Sequence, residues 1–246
     1  MNMFYFDEIY GKKVLKSTLL KDLNHFFTTR ESFIKTKEFQ LEKIAEVNKK
    51  NICNFLDIEL KNLIYPSQTH TSNVEIVEIN KTSYPNTDGL ILNNREQAIF
   101  LNFADCTPLI FFDGKIAAVS HAGWRGTANQ IGINTIKKMI ELGSKLENIK
   151  CAIGPAISLC CYNVGNDVKE KLLSTVKNSD NLFRIKNNEI FVDLKNINKQ
   201  QLIEYGISEN NIDICPYCTV CNNNLFFSYR KENGTTNRHS AIVCLK

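Results

Sequence analysis

Apolar positions along this chain fall into short runs bounded by turn signals and into a few longer stretches with helical spacing. Residues 37–50 carry Leu41, Ile44, Ala45 and Asn48 on one face and Lys and Glu on the other, which predicts an amphipathic helix. Residues 128–142 repeat the pattern with Ile133, Ile136 and Ile140. Residues 166–177, through Val168, Leu172 and Val176, and residues 194–205, stopped by Gly206, predict two more helices. Strands are expected at 74–79, 98–103, 109–112, 116–120, 149–153, 225–229 and 240–245. Asp113-Gly114 predicts a tight hairpin between two of them. Pro85-Asn86 and Asp88-Gly89 read as turns, Gly154-Pro155 ends a strand, and residues 4–30 show no clear period. Strands and helices mix without a strict βαβ rhythm, so we expect an α+β (mixed α/β) fold with antiparallel pairing. No linker or repeat divides the chain, and residues 1–246 are expected to form a single domain.

Composition narrows the class. The chain has 246 residues, of which 43% are hydrophobic and 23% charged. A chain of this length buries roughly 70–75% of its unfolded surface and needs no disulfides to hold a core. The net charge of +4, from 30 basic and 26 acidic residues, is spread along the chain. Without a basic face or arm, a nucleic-acid partner is not expected. No apolar stretch reaches the ~20 residues of a membrane span. The first ten residues lack the basic start and apolar core of a signal peptide. Nine cysteines without a secretory signal point to a reducing, cytoplasmic setting.

The candidate chemistry gathers around the hairpin. A two-residue turn at 113–114 pairs positions that sum to 227, which sets Cys106 opposite His121. Opposed residues have Cβ atoms about 4.5–5.5 Å apart, close enough to share one ion or one proton. Pro108 falls at a paired position and weakens this register. Even so, Cys106 and His121 share one open end of the hairpin. Ala104-Asp105-Cys106-Thr107 and Ser120-His121-Ala122-Gly123-Trp124-Arg125-Gly126 each follow an apolar strand. His70, in a loop before the strand at 74, is a third donor. Two His and one Cys match a catalytic zinc site, which leaves a fourth position open.

Together with these residues, several other segments resemble the YfiH-like family, also called the laccase-domain or polyphenol oxidase family. They include Thr87-Asp88-Gly89, Ala104-Asp105-Cys106-Thr107-Pro108, His121-Ala122-Gly123-Trp124-Arg125-Gly126-Thr127, Gly154-Pro155-Ala156, Cys160-Cys161-Tyr162 and Phe226-Phe227-Ser228-Tyr229-Arg230. The resemblance implies a layered α/β/β/α sandwich. It implies His70, Cys106 and His121 as metal ligands, for zinc or, in some members, copper. It also implies phosphorolysis of adenosine, inosine and S-methyl-5′-thioadenosine, with deamination of adenosine. The expected partners are purine nucleosides and phosphate, and the chain is expected to be a monomer or weak homo-oligomer. The same residues leave open a metal-free Cys/His hydrolase, a copper-dependent polyphenol oxidase and a non-enzymatic metal-binding module. The chain departs from the family pattern at Glu31-Ser32, Ser158, Asn163 and Asn237.

Roles follow from the chemistry required. Cys106, His121, Asp105 and Asp88 are the candidate catalytic residues. Phosphate calls for Arg, whose planar fork matches its oxygens. Arg30, Arg125, Arg230 and Arg238 lie in family-like blocks, and Arg30 and Arg125 adjoin the site segments. Gln68 is expected to bind substrate or to steady a ligand. Cys215, Cys218 and Cys221 have zinc-like spacing with Cys244 as a possible fourth ligand, but no second Cys-x-x-Cys exists, which favours a core or structural role. One of Cys160 and Cys161 is expected in the core. Cys53 and Cys151 read as core filler, and His25 and His239 match no ligand position.

Overall fold

Runs such as Ala-Ile-Phe-Leu-Asn-Phe and Thr-Pro-Leu-Ile-Phe-Phe are apolar at almost every position, the pattern of strands covered on both faces. The computed structural model describes residues 3–245, so the outermost ends of the expected domain (1, 2 and 246) lie outside the described residues. The elements are β1 (Phe4–Ile9), β2 (Lys12–Ser17), β3 (Asn24–Thr28), α1 (Phe39–Leu56), β4 (Leu63–Ile64), β5 (Val74–Ile76), β6 (Gly89–Leu92), β7 (Ala98–Phe103), β8 (Thr107–Phe112), β9 (Ala117–Ala122), α2 (Trp124–Ala128), α3 (Ile131–Glu141), β10 (Lys150–Ile153), β11 (Asn163–Val164), α4 (Asn166–Leu173), β12 (Phe183–Lys186), β13 (Glu189–Val192), α5 (Leu194–Tyr205), β14 (Ile212–Ile214) and β15 (His239–Cys244).

Two six-stranded sheets result, in the orders β1-β2-β3-β15-β7-β4 and β14-β10-β8-β9-β6-β5. Most of the pairing is antiparallel, as expected; β4-β7, β5-β6 and β10-β14 are parallel. Side-chain alternation sorts each strand into two layers. Ile99, Leu101 and Phe103 of β7 meet Ile110 and Phe112 of β8 and Ala117 and Val119 of β9 between the sheets. The other faces carry Ala98 and Phe100 against Ile52, Cys53 and Leu56 of α1, and Leu109, Phe111 and Ala118 against Ile133, Ile136 and Met139 of α3. The order of layers is therefore helix, sheet, sheet, helix, the α/β/β/α sandwich implied by the resemblance. A small sheet, β11-β13-β12, packs with α4 and α5 around Leu172, Val192 and Ile197 at one side. No helix among the described residues is long and apolar enough to cross a membrane.

Several expectations need correction. Residues 4–30 form β1, β2 and β3; polar residues at exposed positions of β1 and β2 mask the alternation, and β3 is buried on both faces. The predicted strand at 225–229 is a turn region whose Phe226 and Phe227 are buried without a ladder. Gly89 begins β6, with Asp88 in the bend just before it. The first helix runs on to Leu56 because Ile52 and Cys53 continue its buried face, while Ile44 is exposed. Ile140 is also exposed, and Met139 takes the buried position. The helix predicted at 166–177 stops at Leu173.

The hairpin register also moves. Phe112 pairs with Ala117 and Pro108 with His121, so facing positions sum to 229. The loop has four residues because the Asp113 carboxylate accepts from the Lys115 and Ile116 amides, at 2.8 and 2.7 Å. Only Gly114 of the central pair has a positive φ, whereas a two-residue type I′ turn needs both. Pro108 is tolerated because this pair exchanges no bonds: the Pro108 carbonyl accepts from Gly154 N at 2.8 Å, and His121 N donates to the Asp88 carbonyl at 2.7 Å. Cys106 therefore faces Gly123, and His121 sits two residues nearer the turn.

Gly154 tests the packing between the sheets. A Cβ there would lie 2.2 Å from Cε1 of the fully buried Phe27. Gly154→Ala is expected to destabilise by about 1–3 kcal/mol, lowering Tm by about 2–4 °C per kcal/mol. Phe27→Leu in the same chain should return part of that loss, read as a double-mutant cycle in denaturant melts.

Candidate metal centre and its cavity

Alternation on β8 and β9 turns Cys106 and His121 to the inter-sheet side, at the end where the strands stop. Cys106 packs against that central core, and the His121 ring lies 5.3 Å from the ring of Phe103 on the facing sheet. His70 arrives from the loop after β4, with its backbone in the left-handed region at φ 64°. The donor atoms of His70, Cys106 and His121 lie within 4.8 Å of one another. The two imidazole centroids are 4.9 Å apart, nearly edge to face. Gly123 permits this closeness, since a Cβ there would lie 3.0 Å from Cys106 Sγ and 3.2 Å from the His70 ring.

Asp88 organises the group from behind. Its carboxylate is fully buried and accepts five hydrogen bonds: from the amides of Thr69, His70 and Thr71, from the Thr71 hydroxyl, and from His121 Nδ1 at 2.9 Å. One side chain thus fixes the His70 loop and the His121 tautomer together. With Nδ1 committed to Asp88, His121 presents Nε2 to Cys106. A carboxylate behind a ligating imidazole is a common arrangement around metals. Burial pushes Asp88 up, but the bonds from His121 and Thr71 outweigh it and hold the carboxyl at about 2. Burial likewise raises the Cys106 thiol, yet the His121 cation and hydrogen bonds from both imidazoles bring it down to about 6. Burial lowers His121, while the Cys106 anion and the Asp88 bond lift it to about 9. The cluster is thus set up to carry a thiolate at neutral pH, the form that binds a cation or attacks an electrophile.

The three donors open onto a cavity of about 530 Å³. Tyr162, Ile157 and Tyr229 supply apolar wall, and Arg230 and Arg238 supply positive charge. Burial pushes the Tyr162 hydroxyl well above the ordinary tyrosine range, with the Cys106 and Asp105 charges adding to it, so it stays protonated. Arg238 is half-buried and donates to the carbonyls of Thr235 and Asn237, the latter at 2.7 Å.

The predicted site residues divide. Gln68, Asp105 and Arg230 line the cavity with the three donors; Arg30, Arg125 and Asp88 do not. Arg30 stacks 4.3 Å above Phe227 and pairs with Glu232, and Arg125 folds over Trp124 at 4.4 Å. Gln68 steadies no ligand: it exchanges bonds with the backbone of Asn102 at 2.9 and 2.8 Å and extends the sheet edge. Asp105 has a positive φ of 91° and ties two loops together, accepting from Thr219 Oγ1 at 2.6 Å and from Arg230 N at 2.7 Å. Sequence reasoning missed Tyr162 and Tyr229, although both lie in the family-like blocks. A signal was available: an aromatic directly after Cys160-Cys161 and another directly before Arg230.

The remaining His and Cys positions resolve simply. His25 is buried in β3, its Nε2 accepting from Ser17 N at 2.9 Å. His239 is buried beside Phe103 and Phe226, where burial pushes it down to about 3 and keeps it neutral. Cys215 and Cys244 are buried in different core clusters, and neither belongs to the group of donors that Cys218 and Cys221 join. Neither Cys160 nor Cys161 is in the core, contrary to expectation.

Comparison with known proteins agrees with this architecture. The chain is 30% identical over 243 residues to purine nucleoside phosphorylase YlmD of Bacillus subtilis, covering 89% of this chain and 87% of that one. It is 30% identical over 190 residues to adenosine deaminase RL5 of an unknown prokaryotic organism, covering 72% of each. The crystal structure of the hypothetical protein YfiH from Bacillus licheniformis superposes with a TM-score of 0.87 at 29% identity, covering 95% of this chain and 96% of that chain. The model of the multi-copper polyphenol oxidoreductase laccase family matches residues 25–246, and the chain belongs to that family.

Proposed function

We propose that the chain is a zinc-dependent purine nucleoside phosphorylase acting on adenosine, inosine and S-methyl-5′-thioadenosine, with adenosine deaminase activity. One observation carries the reading: two imidazoles and a thiol at the floor of a cavity walled by two tyrosines and two guanidinium groups. The names of the two relatives support the same substrate class.

The donor set fits zinc. Two nitrogens, one thiolate and an open position match a catalytic zinc site. A blue-copper centre usually adds a long axial Met. Met139 packs in the outer helix layer and Met3 is exposed; neither lines the cavity, and Met1 lies outside the described residues. Held by His70, Cys106 and His121, zinc supplies Lewis acidity at the cavity floor.

The chain's own residues do the rest. Asp88 orients His121 and keeps its Nδ1 protonated, which makes Asp88 a positioning residue. Tyr162 and Tyr229 offer faces on which a purine stacks, at about 1–3 kcal/mol per base. The Tyr162 hydroxyl, kept protonated by burial, donates a hydrogen bond to the bound nucleoside. Arg238 and Arg230 hold phosphate through charge-assisted bonds. Asp105 fixes the Arg230 backbone and so sets where that wall stands.

A second reading is favoured by one observation, the low position of the Cys106 thiol beside His121. In protein without metal, this pair is a thiolate–imidazolium couple fit for nucleophilic attack, as in a Cys/His hydrolase.

Three measurements test these readings. Zinc-loaded protein should release adenine from adenosine only when phosphate is added, and Cys106→Ala should abolish phosphorolysis and deamination alike. Full activity in metal-free protein would end the zinc reading. Arg238→Ala should raise KM for phosphate roughly ten- to a hundred-fold at unchanged metal content, the cost of one charged hydrogen bond or two. In metal-free protein, alkylation of Cys106 by iodoacetamide should rise through a midpoint at about 6 and level off above it, since the reactive thiolate is lost as pH falls through that value. Asp88→Asn should move this midpoint up by weakening the His121 cation.

A further inference from the structure

A second group of donors lies outside the cavity and has no part in the chemistry above. Cys160 and Cys161 stand in the turn before β11, and Cys218 and Cys221 stand in the turn after β14. Their four sulfurs lie within 4.8 Å of one another, although the two pairs are separated by more than fifty residues in sequence. Cys221 Sγ is 3.5 Å from Cys160 Sγ and 3.5 Å from Cys161 Sγ, and all four are free thiols. In a tetrahedral tetrathiolate with Zn–S of about 2.3 Å, the sulfurs are about 3.8 Å apart, so the observed spacing fits around one ion.

The backbone points the same way. The two turns are joined by a parallel bridge, Ala156 to Cys218, and by the bond from Thr219 N to the Ala156 carbonyl at 3.2 Å. The Cys-x-x-Cys turn expected to lack a partner therefore finds one in Cys160-Cys161.

We propose that Cys160, Cys161, Cys218 and Cys221 form a second metal site, a closed tetrathiolate that binds one zinc ion and staples together two loops of the cavity wall. On binding, four thiols release their protons to solvent and each sulfur forms one bond to the ion, with no change of oxidation state. Four protein ligands leave no open position, so the site is structural rather than catalytic. Its reach into the cavity is short. Tyr162 follows Cys161 directly, and Thr219, between the other two ligands, donates to Asp105, which in turn holds Arg230. An ion here would fix the tyrosine wall and the arginine wall relative to each other.

The test counts metal and reads its ligand field. Protein purified under reductant, loaded with zinc and gel-filtered should hold two ions per chain. Cys106→Ala and the double variant Cys160→Ser/Cys221→Ser should each hold one. Cobalt added to metal-free Cys106→Ala should give intense near-ultraviolet sulfur-to-metal charge transfer and the visible bands of a tetrahedral tetrathiolate. A single wild-type ion that the double variant keeps, two ions in the double variant, or a disulfide from Cys221 to Cys160 or Cys161 in protein kept reduced would overturn the proposal, whereas a single ion kept by Cys106→Ala and lost in the double variant would uphold it and count against the cavity site instead. If the double variant does not fold, the cobalt spectrum of Cys106→Ala decides alone, since its absence is equally fatal.

Discussion

Two sheets, each covered on both faces, leave every strand residue only two directions in which to point. That constraint sets the site. On β7, β8 and β9, one half of the positions builds the inter-sheet core and the other half meets the helices. Cys106 and His121 fall on the inner half, just where the strands end and the opposing sheet no longer fills the space. The same alternation that buries Ile110 and Val119 therefore delivers a thiol and an imidazole to an opening. Phe103 closes the core directly beneath them.

Placing charge there is expensive, and Asp88 shows how the cost is met. Removing a carboxylate from water costs several kcal/mol. Five hydrogen bonds replace the lost hydration and keep the carboxylate ionised. The pinned anion stabilises a cationic His121, and His121 stabilises an anionic Cys106. The polarity runs in a line from the buried loop to the cavity floor. His70, whose amide also donates to Asp88, is brought in by the same carboxylate.

The cavity walls come from loops, and loops need ties. Asp105 binds the turn of Thr219 and the backbone of Arg230, while its own carbonyl accepts from Ile157 N at 2.9 Å. One residue at the mouth of β8 thus touches three wall segments. The four cysteines lie behind two of those segments, which makes them a natural brace for a wall that has little regular structure.

Much of this was legible in sequence. The apolar runs of β7, β8 and β9, the helix ended by Gly206 and the mixed fold class follow from periodicity, because burial of alternating or 3.6-spaced positions is a local property of the chain. The pairing of Cys106 with His121 at one hairpin end was also within reach, although the register was off by two because the Asp113 side chain builds a longer loop. What periodicity could not supply were the contacts made across long separations. That Asp88 stands behind His121, that Arg30 is spent on Glu232 while Arg238 reaches the cavity, and that Cys160 and Cys161 meet Cys218 and Cys221 all depend on how loops from distant parts of the chain are folded over one another. Residue types and spacing carry the donors, but only the closing of the sandwich decides which of them share a space.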